Sequence, residues 1–200
     1  MDRLAAAKGL VITQKKEMME VFTGFETKNR YVISDAAGPQ LYFAAEEGTG
    51  FLSRNFLKSS RPWTIRVVHP DGTKALEISR PWRWFFHEAA IRDADGRVLG
   101  TIKRRWSLLR RVYSVCDSGG REICELFGPI LHPWTFQIRS GGTEVGAIKK
   151  KWSGLVTEAF TKADNFGVQF PPDADPSLKA VLLGAVFLID FCHFEKDNNN

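Results

Sequence analysis

The chain has 200 residues, 44% of them apolar, and a formal net charge of +5. That length fits one large domain or two small ones, and the apolar share is ample for a real core. Cys116, Cys124 and Cys192 are too few and too scattered for a disulfide scaffold or a zinc site, and suit a reducing compartment.

Met1-Asp2-Arg3-Leu4-Ala5 lacks the long apolar stretch of a signal peptide. A pair of strands is expected before Tyr31. Tyr31 and Ile33 then alternate with Val32 and Ser34, and Gly38-Pro39 turns the chain into Leu41-Tyr42-Phe43. Gly48 to Ser60 breaks the pattern as a loop carrying Phe51, Leu52, Phe56 and Leu57. Trp63, Ile65 and Val67 alternate with Thr64, Arg66 and Val68, and Pro70-Asp71-Gly72 leads to Leu76 and Ile78. Ile91 is followed by the turn Asp93-Ala94-Asp95-Gly96 and Val98. Tyr113 and Val115 precede Gly119-Gly120 and Ile123. Trp134, Phe136 and Ile138 alternate with Thr135, Gln137 and Arg139 before Gly141-Gly142 and Val145. Each unit reads as strand, tight turn, strand. About ten to twelve strands at this spacing indicate a closed barrel or a sandwich. Pro62-Trp63, Pro81-Trp82 and Pro133-Trp134 each read as opening a strand.

Ser153 to Ala163 reads as a short helix capped by Ser153. Beyond Asp175-Pro176, residues Ser177 to Phe194 are apolar without a polar face, so this helix is either buried in a core or in a membrane. A spanning helix needs about 20 mostly apolar residues. Ala180 to Ile189 supplies ten, and extension through Phe194 brings in Asp190 and His193. Length and charge therefore favour the buried helix, with a conditional membrane segment as the alternative. Gly184 allows another element to approach closely in either case.

Charge is unevenly spread. Arg97 to Arg111 holds six basic residues and no acid, whereas Asp164 to Asn200 holds six acids against Lys179 and Lys196. The basic stretch is half of an internal repeat. Gly100-Thr101-Ile102-Lys103-Arg104-Arg105-Trp106-Ser107 recurs 46 residues later as Gly146-Ala147-Ile148-Lys149-Lys150-Lys151-Trp152-Ser153. On strands, Lys103 and Arg105 face away from Ile102, and Lys149 and Lys151 away from Ile148. These rows suit phospholipid headgroups or nucleic-acid phosphates, or serve as charged protection of a strand edge. Trp106 and Trp152 read as core residues.

The acidic stretch from Lys162 to Asp173 has the length of a twelve-residue calcium loop. Gly167 falls at the sixth place, Asp164 at the third, Val168 with a carbonyl to offer at the seventh, and Asp173 at the twelfth. Lys162 at the first place and Phe166 at the fifth bring no carboxylate, so the site is expected to be weak. The alternative is that these acids cap and turn the chain. His69, His87, His132 and His193 are isolated in sequence, with no catalytic triad, phosphate loop or metal spacing. The protein is therefore expected not to be an enzyme.

The chain resembles the phospholipid scramblases over nearly its whole length. The resemblance is carried by Leu10-Val11-Ile12, Thr23 to Tyr31, Tyr42 to Glu46, Arg61-Pro62-Trp63, Gly146 to Trp152, Glu158 to Thr161, Asp164 to Pro171, Lys179-Ala180 and Gly184 to Phe191. It implies one domain over residues 1–200 with a tubby-like fold, a closed barrel of about twelve antiparallel strands around a C-terminal hydrophobic α-helix at 180–194. It implies calcium-activated, ATP-independent, bidirectional movement of phospholipids between plasma-membrane leaflets, on the cytoplasmic face. Cytosol and nucleus are the further locations left open. The family's calcium segment maps onto Asp164, Phe166, Val168, Phe170 and Asp173, with Lys162 where the family usually has Asp. Its cysteine-rich acylation stretch aligns with Phe51 to Leu57, which holds no cysteine, so Phe51, Leu52, Phe56 and Leu57 are expected to act as an apolar wedge. Lys103, Arg105, Lys149 and Lys151 are expected to bind an anionic membrane. A homo-oligomer and nucleic acid are the other partners left open. The alternative function is a non-enzymatic phosphoinositide- or DNA-binding adaptor.

Overall fold

Two-residue periodicity commits one face of each strand to a common interior, and the strands close on themselves around it. The structure, a computed structural model, describes residues 2–15, 27–47, 62–82, 87–108, 110–150 and 165–194. After a short helix α1 (Asp2–Ala6) come β1 (Gly9–Lys15), β2 (Thr27–Asp35), β3 (Gln40–Glu47), β4 (Trp63–Val68), β5 (Lys74–Arg80) and β6 (Glu88–Asp93). They are followed by β7 (Val98–Arg105), β8 (Arg111–Asp117), β9 (Glu122–Gly128), β10 (Thr135–Ser140), β11 (Thr143–Lys150) and β12 (Asn165–Gln169). Each strand pairs antiparallel with its sequence neighbours, and β12 pairs with β1 from Gly9↔Gln169 to Thr13↔Asn165. The expected closed barrel is therefore formed, with twelve strands and no open edge.

The second helix, α2 (Pro176–His193), is long and fills that barrel. Pro176 suits the first helical position, and Asp175 caps the helix by accepting a hydrogen bond from Leu178 N at 2.7 Å. Every residue from Lys179 to Ile189 is buried. The partners come from all round the wall: Ile12, Ile33, Ile65, Ile78, Ile91, Ile102, Val115, Leu126, Ile138 and Ile148 are each at most 1% exposed. Tyr31 meets Phe187 edge-on with ring centres 5.0 Å apart, and Trp63 stacks on Phe191 at 4.8 Å. The helix expected at 180–194 thus starts earlier and is enclosed, although its 18 residues satisfy a membrane span by length and composition.

The repeat now has a structural meaning. Its copies lie on β7 and β11, and Gly100 and Gly146 occupy equivalent places. A Cβ at either would stand 2.4 Å from a neighbouring carbonyl oxygen, that of Cys116 or of Gln169. Two strand-opening tryptophans sit differently from the sequence expectation. Trp63 opens β4 as expected. Trp82 follows the end of β5 and is exposed, and Trp134 immediately precedes β10.

Up-and-down order makes the two barrel ends unlike. The connections β2–β3, β4–β5, β6–β7, β8–β9 and β10–β11 have two to five residues and all lie at one end. Their aspartates build the turns: Asp35, Asp93 and Asp117 accept from the amides of Ala37, Asp95 and Gly119 at 2.7, 3.0 and 3.0 Å. The other six pairs of consecutive strands are separated by five to fifteen residues in sequence and have their facing termini at the opposite end, where α2 also finishes.

The helix-to-wall distance sets a test. A Cβ at Gly184 would stand 2.6 Å from Ile91 Cγ1, and the helix is hemmed in on every side. Gly184→Val is expected to destabilise the fold by about 3 kcal/mol, although glycine is an unfavourable helix residue in the open. Urea unfolding of the two chains measures this.

Candidate functional site

The acidic segment is split by the wall. β12 pairs with β1 on one side and with β11 on the other, placing Val168 opposite both Leu10 and Ile148. Its backbone is thereby engaged in ladders. Phe166, Val168 and Phe170 are 3%, 0% and 4% exposed, and belong to the core. A segment in this conformation does not wrap an ion as a calcium loop does, and these three side chains carry no oxygen. Asp173 lies exposed in the turn beyond, at the tight-turn end, where Ala174 N donates to Pro171 O at 3.1 Å. Asp164 and Lys162 fall outside the described residues. Among the described residues no group of three or more His, Cys, Asp or Glu could hold a metal ion.

The basic rows do face outwards. Lys103, Arg105 and Lys149 are exposed, and Ile102 and Ile148 beside them are buried. Their strands, β7 and β11, are four places apart in the wall, roughly 19 Å at about 4.8 Å per strand. The repeat therefore presents two separate rows and no single patch. Lys103 reaches Glu88 at 3.8 Å, and Arg105 lies 3.4 Å from Glu125 and 3.9 Å from Glu122. At such exposure these pairs hold the side chains only weakly. Lys149 makes no ion pair among the described residues. Lys151, Trp152 and the wedge residues Phe51, Leu52, Phe56 and Leu57 lie outside the described residues, as does the helix expected at 153–163.

Polar groups buried at the two ends of α2 were not singled out from sequence. At its start, Lys179 Nζ donates to Ala5 O at 2.7 Å and Ala7 O at 2.8 Å, tying α1 across the tight-turn end. Near its finish, Lys150 Nζ lies 3.6 Å from Asp190 Oδ1 and 4.4 Å from the Phe194 ring. Strand alternation could have located Lys150, since it sits two residues after the inward Ile148. His193 Nε2 is 2.7 Å from the hydroxyl of fully buried Tyr113. Burial, with Arg104, Arg111 and His87 adding their positive fields, lowers the His193 pKa to about 4. His87, bonded through Nδ1 to the buried Arg80, is lowered to about 4 by burial and then by Arg80 and Arg104. Burial pushes the Cys124 thiol up to about 12, so it is inert at neutral pH.

Trp106 corrects a sequence expectation. It is 79% exposed, not part of the core. Alternation would turn it inwards if β7 continued, but β7 ends at Arg105 and the chain leaves the wall. Leu108, Ile130 and Leu131 are exposed by 81%, 62% and 87% on the connections β7–β8 and β9–β10.

Comparison with known proteins gives a consistent match. The family model described as Scramblase matches residues 1–196. Mouse phospholipid scramblase 1 is 37% identical over 213 aligned residues, covering 100% of this chain and 65% of that protein. Human phospholipid scramblase 1 is 35% identical, with 98% and 65% covered, and human phospholipid scramblase 2 is 34% identical, with 98% and 70% covered. The chain thus spans 65% of the length of either scramblase 1. A crystal structure of an Arabidopsis thaliana protein covers 94% of this chain and is itself 93% covered, with a TM-score of 0.48 and 13% identity, a likeness too loose to argue from.

The two lowered histidines set a pH dependence. Unfolded, each ring titrates near 6.5, but folded, near 4. Below pH 6.5 the unfolded chain takes up protons that the folded chain refuses, so this stability is present above 6.5 and is lost as pH falls towards 4. The thermal midpoint should therefore drop across that window, and His193→Gln should flatten the drop in part, leaving the contribution of His87. Calorimetry at stepped pH measures both.

Proposed function

The chain belongs to the scramblase family, and we propose that it moves phospholipids between the two leaflets of the plasma membrane, in both directions, without ATP and in response to calcium. The observation that carries this reading is the match to the family across residues 1–196. The surface chemistry supports it. The outward Lys103, Arg105 and Lys149, with Lys151 two residues further along the sequence, suit anionic headgroups on the cytoplasmic face. The barrel contributes by exclusion. Its interior is occupied by α2 along its length, so a lipid in transit passes along the outer wall and not through the barrel. Oxygen donors for calcium are then sought in the acids flanking β12, Asp164 and Asp173, and not in Phe166, Val168 or Phe170. Their number is small, which suits a low-affinity response.

The test uses the purified full chain in vesicles carrying a dye-labelled lipid in both leaflets, with a membrane-impermeant quencher outside. The dye is expected to become fully accessible when calcium is added without ATP, and to stay half-protected with a chelator. Asp173→Ala should shift the response to several-fold higher calcium. Calcium-independent protection equal to that of protein-free vesicles would exclude direct lipid movement.

A further inference from the structure

We propose that the long-loop end of the barrel is a docking face for an anionic phospholipid bilayer. Its apolar contact is Trp106, Leu108, Ile130 and Leu131, and its headgroup site is a groove floored by Phe127 between Arg110 and Arg139. This rests on the reading that the protein acts on phospholipid, and it specifies which surface meets the membrane.

The topology brings these residues to one end. β7–β8 carries Trp106 and Leu108, β9–β10 carries Ile130 and Leu131, and both connections lie at the end where β1, β3, β5, β7, β9 and β11 finish. Four large apolar side chains exposed by 62% to 87% on two neighbouring connections at one end are more than singly scattered surface residues. A tryptophan beside aliphatic tips and arginines is the composition of a membrane interface, where amphipathic rings settle at headgroup level.

The groove beside Trp106 adds a polar site. It has a volume of about 280 Å³ and is lined by Arg105, Trp106, Ser107, Arg110, Val112, Glu125, Phe127 and Arg139. That is room for a phosphate group. Arg139 stacks on Phe127 at 3.8 Å and Arg110 approaches the same ring at 5.5 Å. Three guanidinium groups face one carboxylate, Glu125, which Arg105 approaches at 3.4 Å. The Arg110 guanidinium makes no ion pair among the described residues, so an anion entering here meets a guanidinium without a carboxylate to displace.

Charge complementarity selects the occupant. The tight-turn end presents Asp35, Asp71, Asp93, Asp95, Asp117, Asp173 and Asp175, with Arg97 paired to Asp93 and Asp95 and Arg121 to Asp117. The long-loop end presents Lys103, Arg105, Arg110 and Lys149, with Arg111 held on the carbonyls of Pro129, His132 and Pro133, against Glu47 and Glu88. Such a polarised barrel orients itself at a negative surface, basic end first. A soluble anion would account for the groove but not for Trp106, Leu108, Ile130 and Leu131, exposed at the same end of the barrel. A bilayer accounts for both.

The test is sedimentation of the full chain with phosphatidylcholine vesicles, with and without phosphatidylserine. Leu108→Glu/Leu131→Glu, at two sites more than four fifths exposed, is expected to lower partition onto phosphatidylserine vesicles at least tenfold. Arg110→Ala should lower it several-fold and narrow the preference for phosphatidylserine, while Asp95→Asn at the far end should leave it unchanged. Because a variant can misfold, the unaltered chain is also followed by hydrogen exchange. Vesicles should slow exchange at 106–110 and 129–134 and not at 94–97 or 118–121. Unchanged partition of the double variant, or protection at the tight turns, overturns the proposal. So does a dimer broken by the double variant without vesicle binding, which would assign the face to a second copy. If partition falls as expected but the dye assay shows no lipid movement, docking stands and lipid transfer fails. Lipid movement with unchanged partition gives the reverse result.

Discussion

A closed wall of twelve strands has to be filled, and α2 is what fills it. Small barrels pack their interiors with strand side chains alone, but a wider one leaves a space that must hold solvent, a ligand or a piece of the chain. Here the piece is a helix with no polar face, which would be insoluble by itself and is satisfied only where apolar side chains surround it. Strand alternation supplies that surround, so wall and helix each remove the other's exposed apolar surface. The turn of β12 into Asp175 and Pro176 delivers the helix into the tight-turn end.

Polar side chains fix the helix along the barrel axis. Lys179 is buried at the start, with its ammonium on two carbonyls at the end of α1. Asp190 is near the finish, with Lys150 of β11 beside it and the Phe194 ring 4.4 Å from that ammonium. A shift of one helical turn, about 5.4 Å, would separate these groups from their partners and leave charges enclosed without compensation. The large cost of such unpaired groups gives the helix a defined register, which apolar contacts alone would specify less sharply.

Much of this was legible in the sequence, for identifiable reasons. Strand alternation announces the barrel, because a half-buried strand places inward and outward residues strictly by turns, and aspartate-glycine clusters mark the tight hairpins. The all-round apolar stretch announces a buried helix once Asp190 and His193 weigh against a bilayer. What was not legible depends on where a pattern stops and on what the closed sheet places side by side. Trp106 continues the inward series of Ile102 and Arg104, and only the end of β7 at Arg105 turns it out to solvent. Lys103 and Lys149 look equivalent in a repeat, but angular separation around a barrel is set by strand order and not by sequence similarity. The groove under Trp106 collects residues from β7 to β10, a neighbourhood that no local motif contains.

The filled interior also bears on whether α2 can leave for the membrane. Its apolar side chains would lose little on transfer, since hydrocarbon is as apolar as the barrel. At 18 residues and 1.5 Å per residue the helix is about 27 Å long, close to the hydrocarbon thickness of about 30 Å. The opposition comes from what stays behind. Ile12, Ile33, Ile65, Ile78, Ile91, Ile102 and their neighbours would line an empty or flooded barrel, losing the contacts that now bury them almost completely. Lys179 and Asp190 would lose the carbonyls and ammonium that satisfy them now, and enter hydrocarbon or drag water with them. The helix is retained less by its own preference for protein over lipid than by the wall's need to be filled. That need is the same along the whole barrel, so α2 stays enclosed and a membrane meets the barrel's outer surface and its ends. Among the described residues, the long-loop end sets Trp106, Leu108, Ile130 and Leu131 beside basic side chains.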